Sequence, residues 1–196
     1  MPVMSRSEAA FCCAAPWRLF AGRALVPWLL GDEELKGSVL ELGSGSGAMA
    51  AEYLERFPGL ELTATDLDPG MIEAAGSRLS GFGGRARVEA ADATELTYPD
   101  GSFDGVIAFG MLHHVGPWEK ALAEAARVLR SGGLLLAADF VEFPGLIAAE
   151  RATGNPGVRP IRWGLLEPEL RKLPLTDVRA RRAARAVFRL RATKAP

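Results

Sequence analysis

The sequence predicts a doubly wound α/β fold: a mostly parallel sheet with helices on both faces. Two observations predict it. From Ser38 onward, short apolar runs alternate with longer amphipathic stretches, which is the pattern of βαβ units. The first of those runs passes through a glycine-rich turn directly into a helical stretch. At the C-terminus two extended runs stand close together, which adds an antiparallel hairpin to one edge of the sheet.

Each element follows from local signals. Ser38–Leu42 reads as a strand, and Ala48–Phe57 as a helix ended by Pro58-Gly59. Leu60–Thr65 is a second strand. Pro69 stands where helices begin, and Met71–Leu79 continues helically. Arg87–Ala91 is a short third strand. Phe103–Phe109 is a fourth, entered through the turn Pro99-Asp100-Gly101. Trp118–Leu129 places apolar residues at 118, 121, 122, 125, 128 and 129, one face of a helix, and Ser131-Gly132-Gly133 ends it. Leu134–Phe140 is a fifth strand. Asp177–Ala183 and Ala186–Thr193 form the hairpin, and its arginines are expected on the solvent side of the edge, where they discourage aggregation.

Within one domain over 1–196, four parts are expected: an N-terminal helical cap over 1–37, a core over 38–140, a candidate lid over 141–176 and the hairpin over 177–196. One or two helices of the cap should pack across one end of the sheet, held there by Trp17, Phe20 and Trp28. Trp163 is expected in the lid. Arg159 and Arg162 read as solvated loop residues, with an anionic substrate group as the alternative.

Composition narrows the function. The 196 residues are 48% hydrophobic and 24% charged, which excludes disorder as the main state. The two cysteines, Cys12 and Cys13, are neighbours that rarely pair with each other, so a reducing, cytoplasmic setting is expected. With only two histidines a zinc cluster is not expected, and no metal site is assigned. The longest apolar candidate, Ala9–Leu30, is broken by Pro16, Arg18, Arg23 and Pro27. It reads neither as a membrane span nor as a signal peptide, but as part of the mature protein. Residues 151–196 hold twelve Lys/Arg against three Asp/Glu, so this stretch is +9 and the first 150 residues are −10. Such asymmetry fits either a polyanionic partner or two halves that complement each other in one fold, and the second is the simpler reading.

The chemistry concentrates in Val39–Gly47, VLELGSGSG. Glycines in such a loop allow a tight turn and let a ligand approach the backbone. The spacing is acid-x-G-x-G-x-G, with Glu41 two residues before Gly43. It is neither the G-x-G-x-x-G of nicotinamide folds nor a phosphate loop, since no lysine follows. Asp66 ends the second strand, 19 residues past Gly47, where a carboxylate can accept hydrogen bonds from ribose hydroxyls. Asp92 follows the third strand. Ligands of doubly wound sheets bind at these carboxyl ends, near the point where strand order reverses. A ligand with a ribose and no phosphate fits such an acidic, glycine-lined crevice.

With these residues in view, the sequence resembles the class I S-adenosylmethionine-dependent methyltransferases of the small-molecule, methyltransferase-11-like type. The matching stretches are VLELGSGSG (39–47), TATDLDPGM (63–71), VEAADATELTYPDGSFDGVIAFGMLHHV (88–115) and EAARVLRSGGLLLAADF (124–140), about half the chain, in the family's order. The resemblance implies a Rossmann-like seven-stranded sheet and S-adenosyl-L-methionine as cofactor, with S-adenosyl-L-homocysteine as product. It implies that the loop Gly43, Ser44, Gly45 and Gly47 wraps the methionine portion. Glu41 would support that loop or reach the amino group through water. Asp66 would hold the ribose, and Leu67 would pack on the adenine. Asp92 would bind the adenine amino group with help from the Ala93 N–H, and the carbonyls of Phe109 and Gly110 would meet the methionine amine.

His113 and His114 follow the fourth strand and are the candidate general bases; the alternative is that they shape the pocket. Asp139 and Glu142 flank the end of the fifth strand and are expected to face the same crevice. The implied reaction is in-line methyl transfer to a small-molecule acceptor, partly apolar and with an acidic group, covered by residues 1–30 or 142–168. No Asn-Pro-Pro-Tyr-type tetrapeptide follows the fourth strand, where Phe109-Gly110-Met111-Leu112 stands, and this disfavours an amide or exocyclic base nitrogen. Two alternatives stand beside it: an RNA methyltransferase that uses the basic C-terminal stretch, and a non-catalytic subunit that binds the cofactor to stabilise a partner.

Overall fold

The computed structural model describes residues 10, 12–142, 161–183 and 186–196. Seven strands form one sheet: β1 (Gly37–Leu42), β2 (Leu60–Asp66), β3 (Ala86–Ala90), β4 (Phe103–Phe109), β5 (Leu129–Phe140), β6 (Leu175–Ala183) and β7 (Val187–Lys194). Their order is β3-β2-β1-β4-β5-β7-β6. The first five are parallel, while β7 is antiparallel to both β5 and β6. Among the described residues six α-helices with given bounds accompany them: α1 (Ala15–Phe20), α2 (Val26–Leu30), α3 (Ala48–Arg56), α4 (Pro69–Leu79), α5 (Trp118–Val128) and α6 (Trp163–Leu170). A π-helical turn, Ala21–Leu25, joins α1 to α2. No helix among the described residues is long and apolar enough to cross a membrane.

The sheet separates two cores. On one face α5 and α6 bury Leu122, Ala125, Leu166 and Leu170 against Leu40, Val106, Leu135 and Leu190. On the other, α2 and α3 bury Leu29, Leu30, Tyr53 and Leu54 against Val39, Ile107, Leu136 and Ala138. Central parallel strands are covered on both faces, so their apolar runs are nearly continuous, as in GVIAF of β4. Asp68 starts α4 by accepting the amides of Gly70 and Met71, with Pro69 in its first turn.

Three expectations are corrected. The chain does not stop at Ser131-Gly132-Gly133 between helix and strand: β5 begins at Leu129, directly after α5, and takes up the irregularity in its register with β4 between Phe103 and Gly105. The N-terminal helices do not merely cross an end of the sheet, because Ala21, Val26, Leu29 and Leu30 join the core on the α3 face. The arginines of the hairpin divide: Arg179, Arg181 and Arg182 of β6 are exposed as expected, whereas Arg189 and Arg191 of β7 are half-buried against the chain. Phe188, Leu190 and Ala192 are buried on one side, and Arg189 and Arg191 point to the other, where the N-terminal segment lies. Arg189 donates to the carbonyls of Leu29 (3.0 Å) and Leu30 (3.1 Å), and Arg191 reaches Glu33 at 2.5 Å. Lys194 donates to the carbonyl of Ala126. Part of the C-terminal positive charge thus binds the chain's own N-terminal half.

In the stretch expected as a lid, residues 143–160 lie outside the described residues, as does Arg159. Of the remainder, Ile161 bridges Val141, and α6 packs into the core. Trp163 heads α6, half-buried under the guanidinium of Arg182.

Candidate functional site

A cavity of about 1010 Å³ opens at the carboxyl ends of the strands, where the order turns from β1 to β4. The loop after β1 forms its floor. Gly43, Gly45 and Gly47 all have positive φ, but for different reasons. A Cβ at Gly43 would collide with Cβ of Met111, and one at Gly47 would press on Ala75 of α4. Gly45 has nothing within 4 Å of that position, so its bare face is open space. Two of the three glycines therefore serve packing, and Gly45 leaves room beside the backbone.

The loop is held by β2. Ser44 N–H donates to the carbonyl of Thr65, and Gly45 N–H donates to Oδ2 of Asp66, both at 2.8 Å. Oδ1 of Asp66 accepts the amide of Asp68. Each carboxylate oxygen keeps a second lone pair for a ligand. Beneath the loop lies Glu41, only 3% exposed. Its Oε2 has no hydrogen-bond partner, nor does Oγ of Ser44, and both residues line the cavity. Burial first, and then the neighbouring Asp66, raise the Glu41 pKa to about 8. A cationic group placed here would meet an unsatisfied buried oxygen and restore the carboxylate.

The histidines stand on a 3-10 turn, Leu112–His114, just past β4. Nδ1 of His113 lies 2.5 Å from Oδ1 of Asp139, at the end of β5. Asp139 is 2% exposed, and its oxygens also accept the amides of His113 and Phe140. Against a carboxylate, which only accepts, Nδ1 of His113 is the donor, and this leaves Nε2 as the ring nitrogen not engaged by Asp139. The ring of His114 lies 4.0 Å from that of His113, and both line the cavity.

Of the residues singled out in the sequence, Glu41, Gly43, Ser44, Gly45, Asp66, Leu67, Ala93, Phe109, Gly110, His113 and His114 line this one cavity. Gly47 and Asp92 do not. Gly47 begins α3, and Oδ1 of Asp92 accepts the amide and hydroxyl of Thr94. Asp139 reaches the cavity, but Glu142 does not: it pairs with Arg162 at the surface. Trp17, Phe20, Leu25 and Trp28 form the cavity's wall on the cap side. Phe20 was expected to pack the cap onto the sheet, yet it is 53% exposed at the cavity mouth. Sequence reasoning missed one tie: the hydroxyl of Ser46 in the glycine loop donates to the carbonyl of Cys12 at 2.6 Å, fastening the cap to the loop.

Residues 39–133 match the methyltransferase domain family. A demethylmenaquinone methyltransferase of Thermus thermophilus is 39% identical over 109 residues, which are 55% of this chain and 49% of that protein. A ubiquinone/menaquinone biosynthesis C-methyltransferase of Methylobacterium nodulans is 40% identical over 55% of this chain and 44% of its own length. A malonyl-[acyl-carrier protein] O-methyltransferase of Geobacter sulfurreducens is 36% identical, over 58% and 43%. The chain spans about half the length of the curated relatives it matches. Among solved structures, phosphoethanolamine N-methyltransferase 2 of Haemonchus contortus superposes with a TM-score of 0.79 at 16% identity, over all of this chain and 62% of that one. The [4+2]-cyclase SpnF gives 0.72 at 18% identity, over 100% and 98%. At these identities the structural likeness concerns the fold.

Proposed function

We propose, for a chain whose residues 39–133 match the methyltransferase domain family, that the cavity binds S-adenosyl-L-methionine and passes its methyl group to a small-molecule acceptor. The observation that carries this reading is the unsatisfied, buried Glu41 carboxyl beneath a glycine loop that Asp66 holds, in one cavity with the His113–Asp139 pair.

The residues fit the cofactor. Glu41 and the carbonyls of Phe109 and Gly110 would meet its ammonium group, directly or through water. The open face of Gly45 leaves room for the methionine portion, with Ser44 beside it. Asp66 would take the ribose hydroxyls; Leu67 and Ala93, with Asp92 behind it, would border the adenine. Gly47 shapes the loop through its packing on α4. When bound, the cofactor supplies an electrophilic methyl group on a sulfonium sulfur.

The chain's own part is positioning and proton transfer. The cap helices and the sheet's ends enclose the acceptor and exclude water, which holds the reacting atoms in line. Asp139 fixes the ring of His113 and its tautomer, so that Nε2 can take a proton from an acceptor hydroxyl or an acidic carbon. His114, its ring tilted against that of His113, is the alternative base. An acceptor that is already a free amine needs neither. We place this activity in the cytoplasm, where thiols such as Cys12 and Cys13 stay reduced.

A methyl-labelled cofactor, incubated with the protein and separate pools of small phenols, acids, amines and RNA, tests the reading. The label should enter a small-molecule pool, and His113→Ala should reduce it. Label entering only RNA would replace this reading with the nucleic-acid alternative, and label entering nothing would favour a cofactor-binding subunit without catalysis.

A further inference from the structure

Among the described residues, three buried side-chain atoms lack a hydrogen-bond partner: Oε2 of Glu41, Oγ of Ser44 and the hydroxyl of Tyr53. Glu41 and Ser44 line the cavity, but Tyr53 does not. It stands on α3 and is wholly buried. Two local patterns bring it to Glu41. Strand alternation puts Glu41 on the same face of β1 as Val39, which packs under α3, while Leu40 and Leu42 point into the other core. On α3, Ala50, Tyr53 and Leu54 stand three and four residues apart and turn together to that same face. The phenol thus lies behind Glu41 as seen from the cavity. Burial first, and then the Glu41 charge, push its pKa up, so it stays protonated and a hydrogen-bond donor across the neutral range.

In the ligand-free chain this hydroxyl adds nothing to packing. A phenylalanine would fill the same space, and an unpaired buried hydroxyl costs stability. The donor gains a role once Glu41 is charged, since a buried carboxylate needs partners on the sides that water has left. Asp66, at the end of β2, disfavours that charge. The other titratable groups that line the cavity are Asp68, Cys12 of the cap, and the His113–Asp139 pair with His114. A ligand ammonium group answers the repulsion from the cavity side, and Tyr53 answers it from behind.

We propose that Tyr53 is a positioning residue of the cofactor pocket: its hydroxyl donates to the Glu41 carboxylate, directly or through one bridging water, when the ammonium group of the cofactor arrives. The inference rests on the methyltransferase reading and extends it to a residue outside the cavity. Binding is then coupled to a proton. At neutral pH the proton that Glu41 carries in the ligand-free protein passes to the buffer, the carboxylate pairs with the ammonium group, and no covalent bond of the cofactor changes.

Calorimetric titration with S-adenosyl-L-homocysteine at pH 7, in two buffers of different ionisation enthalpy, counts that proton. Methylthioadenosine, which has the adenosine and the thioether but no ammonium group, is the control ligand. The wild type should release about one proton per homocysteine cofactor bound and none with methylthioadenosine. The release should vanish in Glu41→Gln. Tyr53→Phe should bind the homocysteine cofactor about tenfold more weakly, because a hydrogen bond to a charged group is lost. It should bind methylthioadenosine as the wild type does, and its ligand-free Tm should equal or exceed that of the wild type. Equal homocysteine-cofactor affinity in Tyr53→Phe and the wild type, or the same loss for both ligands, would overturn the positioning role. So would a wild-type titration that releases no proton, a result that depends on no variant. Failure of both ligands to bind the folded wild type would instead overturn the methyltransferase reading.

Discussion

Glu41 shows how burial can tune a single residue. Its carboxyl has left water, has one oxygen without a partner and faces Asp66, so the protonated form is favoured in the ligand-free protein. The sign of the consequence is fixed. Between the ordinary carboxyl pKa of 4.5 and about 8 the folded chain binds a proton that the unfolded chain does not. Stability contributed at this site therefore declines as pH rises through that window. The ligand-free protein should show a Tm that falls from pH 5 to pH 8, and Glu41→Gln should flatten that slope, as read by calorimetric melts in matched buffers. The glycines divide in a similarly testable way. Gly43→Ala should impair folding because of the collision with Met111. Gly45→Ala meets no neighbour, so only its positive φ costs stability, about 1–2 kcal/mol. It should still fold, and it should bind the homocysteine cofactor more weakly in a titration. Asp139→Asn should lower kcat about 10²–10⁴-fold for an acceptor that must lose a proton, with cofactor affinity retained. Equal kcat in both proteins would remove His113 from the chemistry. At this scale the glycine loop and Asp66 were legible because a turn's demands are local. The His113–Asp139 bond was not, since it joins side chains 26 residues apart across two strand ends. Both residues had been placed near the crevice, but sequence does not tell which way they point.

Among the elements, β7 and the cap explain each other. The alternation Phe188-Arg189-Leu190-Arg191-Ala192 assigns two faces correctly, yet a period of two says nothing about what covers each face. Here the N-terminal segment brings the carbonyls at the end of α2 to Arg189 and Glu33 to Arg191, so the polar face is bound rather than solvated. Gly31, with φ 59°, follows α2 and gives the guanidinium of Arg189 its close approach. Carbonyls at a helix C-terminus lack intrahelical partners, which makes them natural acceptors for such a cation. Arg189→Ala should destabilise the protein by about 1–3 kcal/mol in urea unfolding. Because the cap carries Trp17, Phe20 and Trp28 into the cavity wall, it should also raise the acceptor KM more than it lowers kcat. An unchanged unfolding midpoint would show that the cap docks without this contact. Element identities were readable from periodicity and punctuation, as with Pro69 at the start of α4. The path of the cap was not, because 160 residues separate Arg189 from Leu29.

For the molecule as a whole, the strand order places the ends of β1 and β4 side by side at the point where the chain reverses direction across the sheet. Loops after these strands diverge there and leave a crevice, which the cap closes from above to make one cavity of about 1010 Å³. This much of the architecture was legible, because βαβ alternation and the antiparallel end are set by pattern and connection length. One ion pair, Arg191 with Glu33, joins the basic C-terminal stretch to the acidic N-terminal part. The central claim is that the glycine loop and Asp66 form a pocket for S-adenosyl-L-methionine. Calorimetric titration of the wild type and of Asp66→Ala with the methionine and homocysteine cofactors tests it most directly, with circular dichroism to confirm that both proteins are folded. The account predicts one site per chain in the wild type and at least a tenfold loss in Asp66→Ala. Equal affinity in the two folded proteins, or no binding to the wild type, would contradict it.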